Sequence, residues 1–403
     1  SRRVTLIAAL LLAACGRRAG PPAPGVRTGL DVLAAGGFAA LRGRRVGVIA
    51  NPTSVARDLR PLAELVAAAP GVTLVAIFGP EHGASGASTA GAHVGDATDE
   101  RTGVPVYSLY GQARRPTPDM LRGVDLLLFD MQEVGARPYT YLSTLVESLG
   151  AAAEAGIDFW VLDRPAPLFA DAVEGPVLEP AFESFVGPHA IPLRHGLTIG
   201  EFARLANAER NLGARLRVVP LEGYRRDLAF ADAGLLWIAP SPNLPTLDAA
   251  FAYAGMVLLE GTNLSEGRGT TRPFQIAGAP WLDGVALAGE LAAAGLGGAT
   301  FRPLRFVPWD SKHEGVECGG VEVHIMERRT YRSVATAVAL IAGARKLHPG
   351  EFAFRPETFD RLAGTASLRE AIERGEAVSA ITASWEPALK EYLERRKSFL
   401  LYP

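Results

Sequence analysis

A glutamate and a histidine stand together at the mouth of a very apolar strand: Val72-Thr73-Leu74-Val75-Ala76-Ile77-Phe78 runs directly into Gly79-Pro80-Glu81-His82-Gly83. A carboxyl beside apolar strand ends can hold its proton near neutral pH, as a general acid must, and the surrounding Gly and Pro residues make a rigid turn that would aim Glu81. His82 then serves as a hydrogen-bonding neighbour. The competing reading is a turn glutamate that caps the next segment. A second group, Asp130, Gln132, Glu133, Arg137, Tyr139 and Tyr141, fills one short stretch. Amides and carboxylates that bond hydroxyls, with phenol rings that stack on a pyranose face, describe a sugar-binding wall. A salt-bridged loop that pins the next helix is the alternative. A third stretch, Glu260 to Thr271, is polar and glycine-rich, so its backbone N–H groups, together with Arg268, could bind an anion.

What would bring these groups to one place is a parallel sheet. Arg45 to Ala50 is an apolar run that ends in Asn51; Val124 to Phe129 ends in Asp130; Phe159 to Leu162 ends in Asp163 and Arg164. Continuous apolar runs of this kind are strands buried on both faces, and in open α/β sheets ligands bind where such strands end. Two later runs read the same way: Leu235 to Ile238 leads to Asn243, and Met256 to Leu259 leads to Glu260 and Asn263. Between the strands, residues 56–69, 140–155 and 198–212 carry helical periodicity, the last opening with a Thr198/Glu201 capping box. Asp163-Arg164 and Arg194-His195 have structural ion pairs as their alternative reading.

The expected fold is therefore α/β: a Rossmann-like domain over residues 28–250, a smaller α/β domain over 251–403, and a cleft between them. A chain of 403 residues is long for one core. No Gly-x-Gly-x-x-Gly follows the first strand, so no dinucleotide cofactor is expected. His82, His93, His189 and His195 form no local ligand set, so no metal is expected either. A net charge of -2 without a basic run argues against nucleic acid. The start reads as an export signal, with Leu12-Ala13-Ala14-Cys15 matching a lipoprotein cleavage box. Residues 1–15 are then a signal peptide and 16–27 a flexible tether, with lipidated Cys15 holding the protein on a bacterial membrane outside the cytoplasm, facing the periplasm in a Gram-negative cell. Cys318, the other thiol, reads as a small core residue.

In order along the chain, Gly79-Pro80-Glu81-His82-Gly83, Phe129 to Arg137, Tyr139-Thr140-Tyr141, Leu162-Asp163-Arg164-Pro165, Pro240 to Pro245 and Glu260 to Thr270 resemble the bacterial exo-β-N-acetylmuramidase family. The resemblance covers nearly everything after the tether. It implies a glycoside hydrolase that removes N-acetylmuramic acid from the non-reducing ends of peptidoglycan-derived MurNAc-GlcNAc fragments, with Glu81 as the proposed catalytic residue. Asp130, Glu133, Glu260 or the substrate's own acetamido group would fill the second role. Muramic acid differs from glucosamine by a lactyl carboxylate, for which Arg137 and Arg268 are the expected partners. Ser85, Glu133, Pro138 and Ala166 depart from the family's pattern, which bears on substrate preference and leaves Glu81 in place. A lipid-anchored muropeptide-binding protein without turnover is the alternative function.

Overall fold

The computed structural model describes residues 25–86 and 97–403. The expected signal peptide, Cys15, most of the tether, and His93 lie outside the described residues. The strands of the first half are β1 (Arg45–Ala50), β2 (Thr73–Gly79), β3 (Ala97–Thr98), β4 (Pro105–Ser108), β5 (Leu126–Asp130), β6 (Asp158–Leu162), β7 (Glu174–Val177), β8 (Pro192–Arg194) and β9 (Arg215–Val219). Seven of them form one sheet in the order β3-β4-β2-β1-β5-β6-β9, parallel throughout except for the β3 edge. β7 and β8 pair separately and antiparallel.

Helices α1 (Gly29–Ala35), α2 (Leu62–Ala67), α3 (Tyr141–Ala155) and α4 (Ile199–Glu209) cover this sheet. Successive side chains of a strand point to opposite faces, and the packing follows that rule. Val46, Val48, Leu126, Leu128 and Trp160 pack with α1 and α2, whereas Ile49, Phe78, Leu127, Phe129 and Phe159 pack with α3 and α4. The Thr198/Glu201 capping box is present at α4, and left-handed Gly156 ends α3. α2 is shorter than the expected 56–69, because Pro61 stands at its N-cap and the chain before it is a turn.

The second half adds α5 (Leu247–Met256), β10 (Ile276–Ala279), α6 (Gly284–Ala293), β11 (Ala299–Phe306), β12 (Cys318–Ile325) and α7 (Ser333–Leu347), followed by α8 (Pro356–Ala363), α9 (Ser367–Glu373), α10 (Val378–Ala383) and α11 (Glu386–Arg396). Its antiparallel sheet runs β10-β12-β11. Cys318 is buried in it. α5 runs through the expected boundary at residue 250, and one hydrophobic core continues from α3 and α4 through α5 to α7.

Two expected strands do not form. Residues 235–238 are irregular, with Leu236 67% exposed, so that run lacks the burial a sheet strand needs. Residues 256–259 finish α5 and begin a 3-10 turn, Val257–Gly261. A short apolar run buried on all sides has the same pattern as a strand or a helix, and the alanine-rich residues before it carry helix into it.

Candidate functional site

β2 delivers Glu81. Its last residue, Gly79, passes so close to the returning chain that a Cβ there would lie 2.5 Å from the Ala84 nitrogen. The turn closes with the Gly83 N–H donating to Pro80 O at 2.9 Å, and it puts both His82 (φ 73°) and Gly83 (φ 75°) in the left-handed region. A histidine in that region is strained, a condition that clusters at functional sites. His82 itself is buried. The Thr140 hydroxyl, at the start of α3, donates to Glu81 Oε2 at 2.8 Å.

Glu81, Thr140 and Tyr110 form one wall of a cavity of about 940 Å³. Asn243 lies on the same cavity, and the facing wall comes from the second half: Tyr253, Glu260, Glu266, Arg268 to Thr271, Trp309 to Lys312, and Arg355. Burial, with the Glu81 carboxylate beside it, pushes the Tyr110 phenol up to about 12. Tyr110 and Tyr253 each feel both Glu81 and Glu260, so the two carboxyls share one electrostatic environment.

The second wall is a charge network. Arg268 Nη2 lies 2.8 Å from Glu260 Oε1 and its Nε 3.2 Å from Glu266 Oε1. Lys312 Nζ lies 2.8 Å from Glu266 Oε2 and also donates to the carbonyls of Leu259, Thr262 and Leu264. The Glu260 side chain is 31% exposed, on the cavity wall. Burial pushes its carboxyl up, opposed by Arg268. Two glycines hold the loop: at Gly267 (φ 80°) a Cβ would lie 2.6 Å from Ile276 O, and at Gly269 (φ 67°) it would overlap the Asp310 backbone.

Other expected site residues lie elsewhere. Arg137 is corrected to an interior position: it is fully buried and its guanidinium donates to the carbonyls of Pro176, Ile191 and Leu362 at 3.1, 2.9 and 2.8 Å. Asp130, expected as a catalytic carboxylate, is fully buried in a two-pronged pair with Arg164, at 2.5 and 2.9 Å. Glu133, the other such candidate, is 2% exposed; it accepts from the Gly135 N–H and lies 3.3 Å from His195 Nε2. Asp163 caps α4 from below, accepting from Thr198 Oγ1 and Gly200 N–H, each at 2.8 Å, and from the Tyr402 hydroxyl at 2.6 Å.

Asn51 donates to the Tyr141 hydroxyl at 2.6 Å, and that hydroxyl donates to Pro240 O at 2.6 Å. Tyr139 is buried edge-on against Tyr141 and Tyr253. Gln132 donates to the carbonyls of Glu133 and Pro165. With Arg164 it borders a separate cavity of only about 60 Å³, too small for a sugar. Asn263 donates to Glu351 O and accepts from Ala353 N–H, which ties its loop to the segment before α8. The stretch read as a sugar-binding wall is thus the bracing behind the wall. Most of its hydrogen-bonding groups are taken up by one another and the backbone, as buried polar groups usually are, while Glu133 Oε1, Arg137 Nε and the Tyr139 hydroxyl find no hydrogen-bond partner among the described residues.

The residues missed in sequence are Tyr110, Trp309, Lys312 and Arg355. None follows a recognisable apolar run. The one available signal was a tryptophan among Pro308, Asp310 and Ser311 in a connection between strands, where binding residues concentrate.

Sequence and structural comparisons agree on where this arrangement belongs. Residues 46–248 match the N-terminal domain of the exo-β-N-acetylmuramidase NamZ family, and residues 251–402 match its C-terminal domain. Peptidoglycan β-N-acetylmuramidase NamZ from Bacillus subtilis is 44% identical over 380 residues, which cover 94% of this chain and 92% of the relative. Two crystal structures of DUF1343 family proteins from Bacteroides fragilis are similar throughout. One has a TM-score of 0.88 at 35% identity, covering 95% of this chain and 100% of that one; the other has a TM-score of 0.78 at 31% identity, covering 94% and 99%. With both domains matched in order and nearly the whole length aligned, the chain belongs to the exo-β-N-acetylmuramidase NamZ family.

Proposed function

We propose that this protein is a glycoside hydrolase, an exo-β-N-acetylmuramidase that releases N-acetylmuramic acid from the non-reducing ends of peptidoglycan fragments. The observation that carries the reading is Glu81, delivered by a strand exit into a cavity whose facing wall carries Glu260. In this reading the parallel-sheet half is a Rossmann-like catalytic domain and the cavity is the active-site cleft between the halves. The activity in the name of the Bacillus subtilis relative supports it. A binding protein without turnover has no observation behind it. Tethering through a lipidated Cys15, outside the cytoplasm, belongs to the proposal as well.

Glycoside hydrolysis needs an acid at the leaving oxygen and a group that attacks or stabilises the anomeric carbon. Glu81 is the acid. Thr140, donating to Oε2, and the Tyr110 phenol beside the same carboxyl hold its orientation toward the cavity. Of the three carboxylates considered for the second role, Glu260 lines the cavity, whereas Asp130 and Glu133 are turned into the interior. Glu260, held by Arg268, therefore acts at the anomeric side, directly or by orienting the 2-acetamido group.

The test compares two leaving groups. With Glu81→Gln, turnover of MurNAc-GlcNAc should fall by roughly 10²–10⁴, the range for a lost general acid. Turnover of a nitrophenyl β-muramic glycoside should fall much less, because nitrophenolate departs without a proton. Equal losses on both substrates would refute the acid role, and wild-type protein that cleaves neither would refute the muramidase reading.

A further inference from the structure

We propose that Arg355 reads the lactyl carboxylate of the muramic acid ring, a role that rests on the muramidase reading of this cavity. Among the described residues three cations line the cavity, and two are committed. Arg268 lies between Glu260 and Glu266, and Lys312 is held by Glu266 and three carbonyls. Arg355 is exposed, and no ion pair joins it to a carboxylate among the described residues. Drawing Arg268 onto a ligand would strip Glu260 of its partner and leave Glu266 with Lys312 alone. Arg355 can turn to an incoming carboxylate and break nothing.

The backbone under Arg355 is fixed. Its N–H donates to Gly261 O at 2.7 Å, and Thr262 bridges Phe354 in an antiparallel pair. Gly261 is pressed against Phe359 of α8 so closely that a Cβ would overlap its backbone. The guanidinium thus springs from a point locked to the residue after Glu260, and only the side chain is left to adapt. A planar guanidinium takes a carboxylate through two parallel hydrogen bonds. N-acetylglucosamine, which lacks the lactyl group, presents no anion to it.

The experiment sets wild type, Arg355→Ala and Arg355→Lys against an aryl β-glycoside of N-acetylmuramic acid and against its lactyl methyl ester, which keeps the bulk and removes the charge. Wild type should prefer the acid by about tenfold to hundredfold in kcat/KM, the range for a charge-assisted pair, with the difference in KM. Arg355→Ala should bring the acid-to-ester ratio close to one, and Arg355→Lys should leave it between the two. A ratio unchanged by Arg355→Ala, a wild-type ratio near one, or equal losses on both substrates would overturn the assignment. Wild type that cleaves neither glycoside would instead remove the muramidase reading on which it rests.

Discussion

The pair Asp130–Arg164 separates scaffold from chemistry by a measurement. Asp130 is 0% exposed and the Arg164 side chain 8%, and two hydrogen bonds join them with a third from Arg164 Nη2 to Val55 O at 3.0 Å. Burial pushes the Asp130 carboxyl up while Arg164 pulls it down. Arg164→Met strands that carboxyl in the interior, and removing one partner of a buried pair costs about 3–5 kcal/mol. Asp130→Asn keeps the shape and an acceptor but loses the countercharge, so its loss should lie at the lower end. The double variant should be more stable than the sum of the singles by about 2 kcal/mol, because neither charge is then left alone. Urea unfolding followed by tryptophan fluorescence reads these values, and the thermal midpoint of Arg164→Met should fall by roughly 4–6 °C. At a temperature where each variant is still folded, turnover of the aryl muramic glycoside should stay near wild type. An Asp130→Asn protein with an unchanged midpoint and turnover cut by about a hundredfold would refute this reasoning and place Asp130 in the reaction.

Trp309 is 64% exposed on the cavity and its backbone N–H is fixed to Gly269 O at 2.8 Å, so its ring is a ready platform for a sugar. Trp309→Ala should raise KM for the disaccharide about three- to tenfold with kcat little changed, and an unchanged KM would discard the platform. Gly269→Ala meets both a left-handed φ of 67° and the Asp310 backbone, a strain of about 1–3 kcal/mol that should displace Arg268. Its kcat/KM should drop by about tenfold or more while the thermal midpoint moves only a few degrees; full activity would show that the loop position is immaterial. Asp163 gives a pH signature: burial raises its carboxyl from 3.8 to about 7. Between those values the folded chain keeps a proton that the unfolded chain releases, so stability falls as pH rises through the window, by about 4 kcal/mol in total. Asp163→Asn, neutral throughout, should flatten that slope in denaturation midpoints taken from pH 4.5 to 8, whereas identical slopes in the two proteins would exclude Asp163 as the source.

The sheet was legible in the sequence because burial on both faces writes an uninterrupted apolar run, as at β1, β5 and β6, and the helices because caps such as Thr198/Glu201 and Gly156 are local chemistry. Glu81 was legible for the same reason, since a Gly-Pro-Glu-His-Gly turn after an apolar strand defines its own position at the strand end. What a polar residue does there was not legible. Asp130, Arg137 and Tyr141 share a stretch with Thr140, yet Thr140 faces the cavity while the others are spent on Arg164, three carbonyls and Asn51. Period and spacing assign a residue to a face. Whether its hydrogen-bonding groups meet protein or open space depends on which distant segment folds over them. Trp309, Lys312 and Arg355 join Glu81 only because β11, β12 and α8 pack beside the glycine loop that follows α5. By itself the sequence determined the buried parallel strands β1, β2, β5 and β6, the capped helices α3 and α4, and one carboxyl at a strand exit. The tertiary structure alone decided which charges are already neutralised by neighbours and which remain open to a ligand, because the free energy of a buried charge is set by partners that are close in space and far apart along the chain.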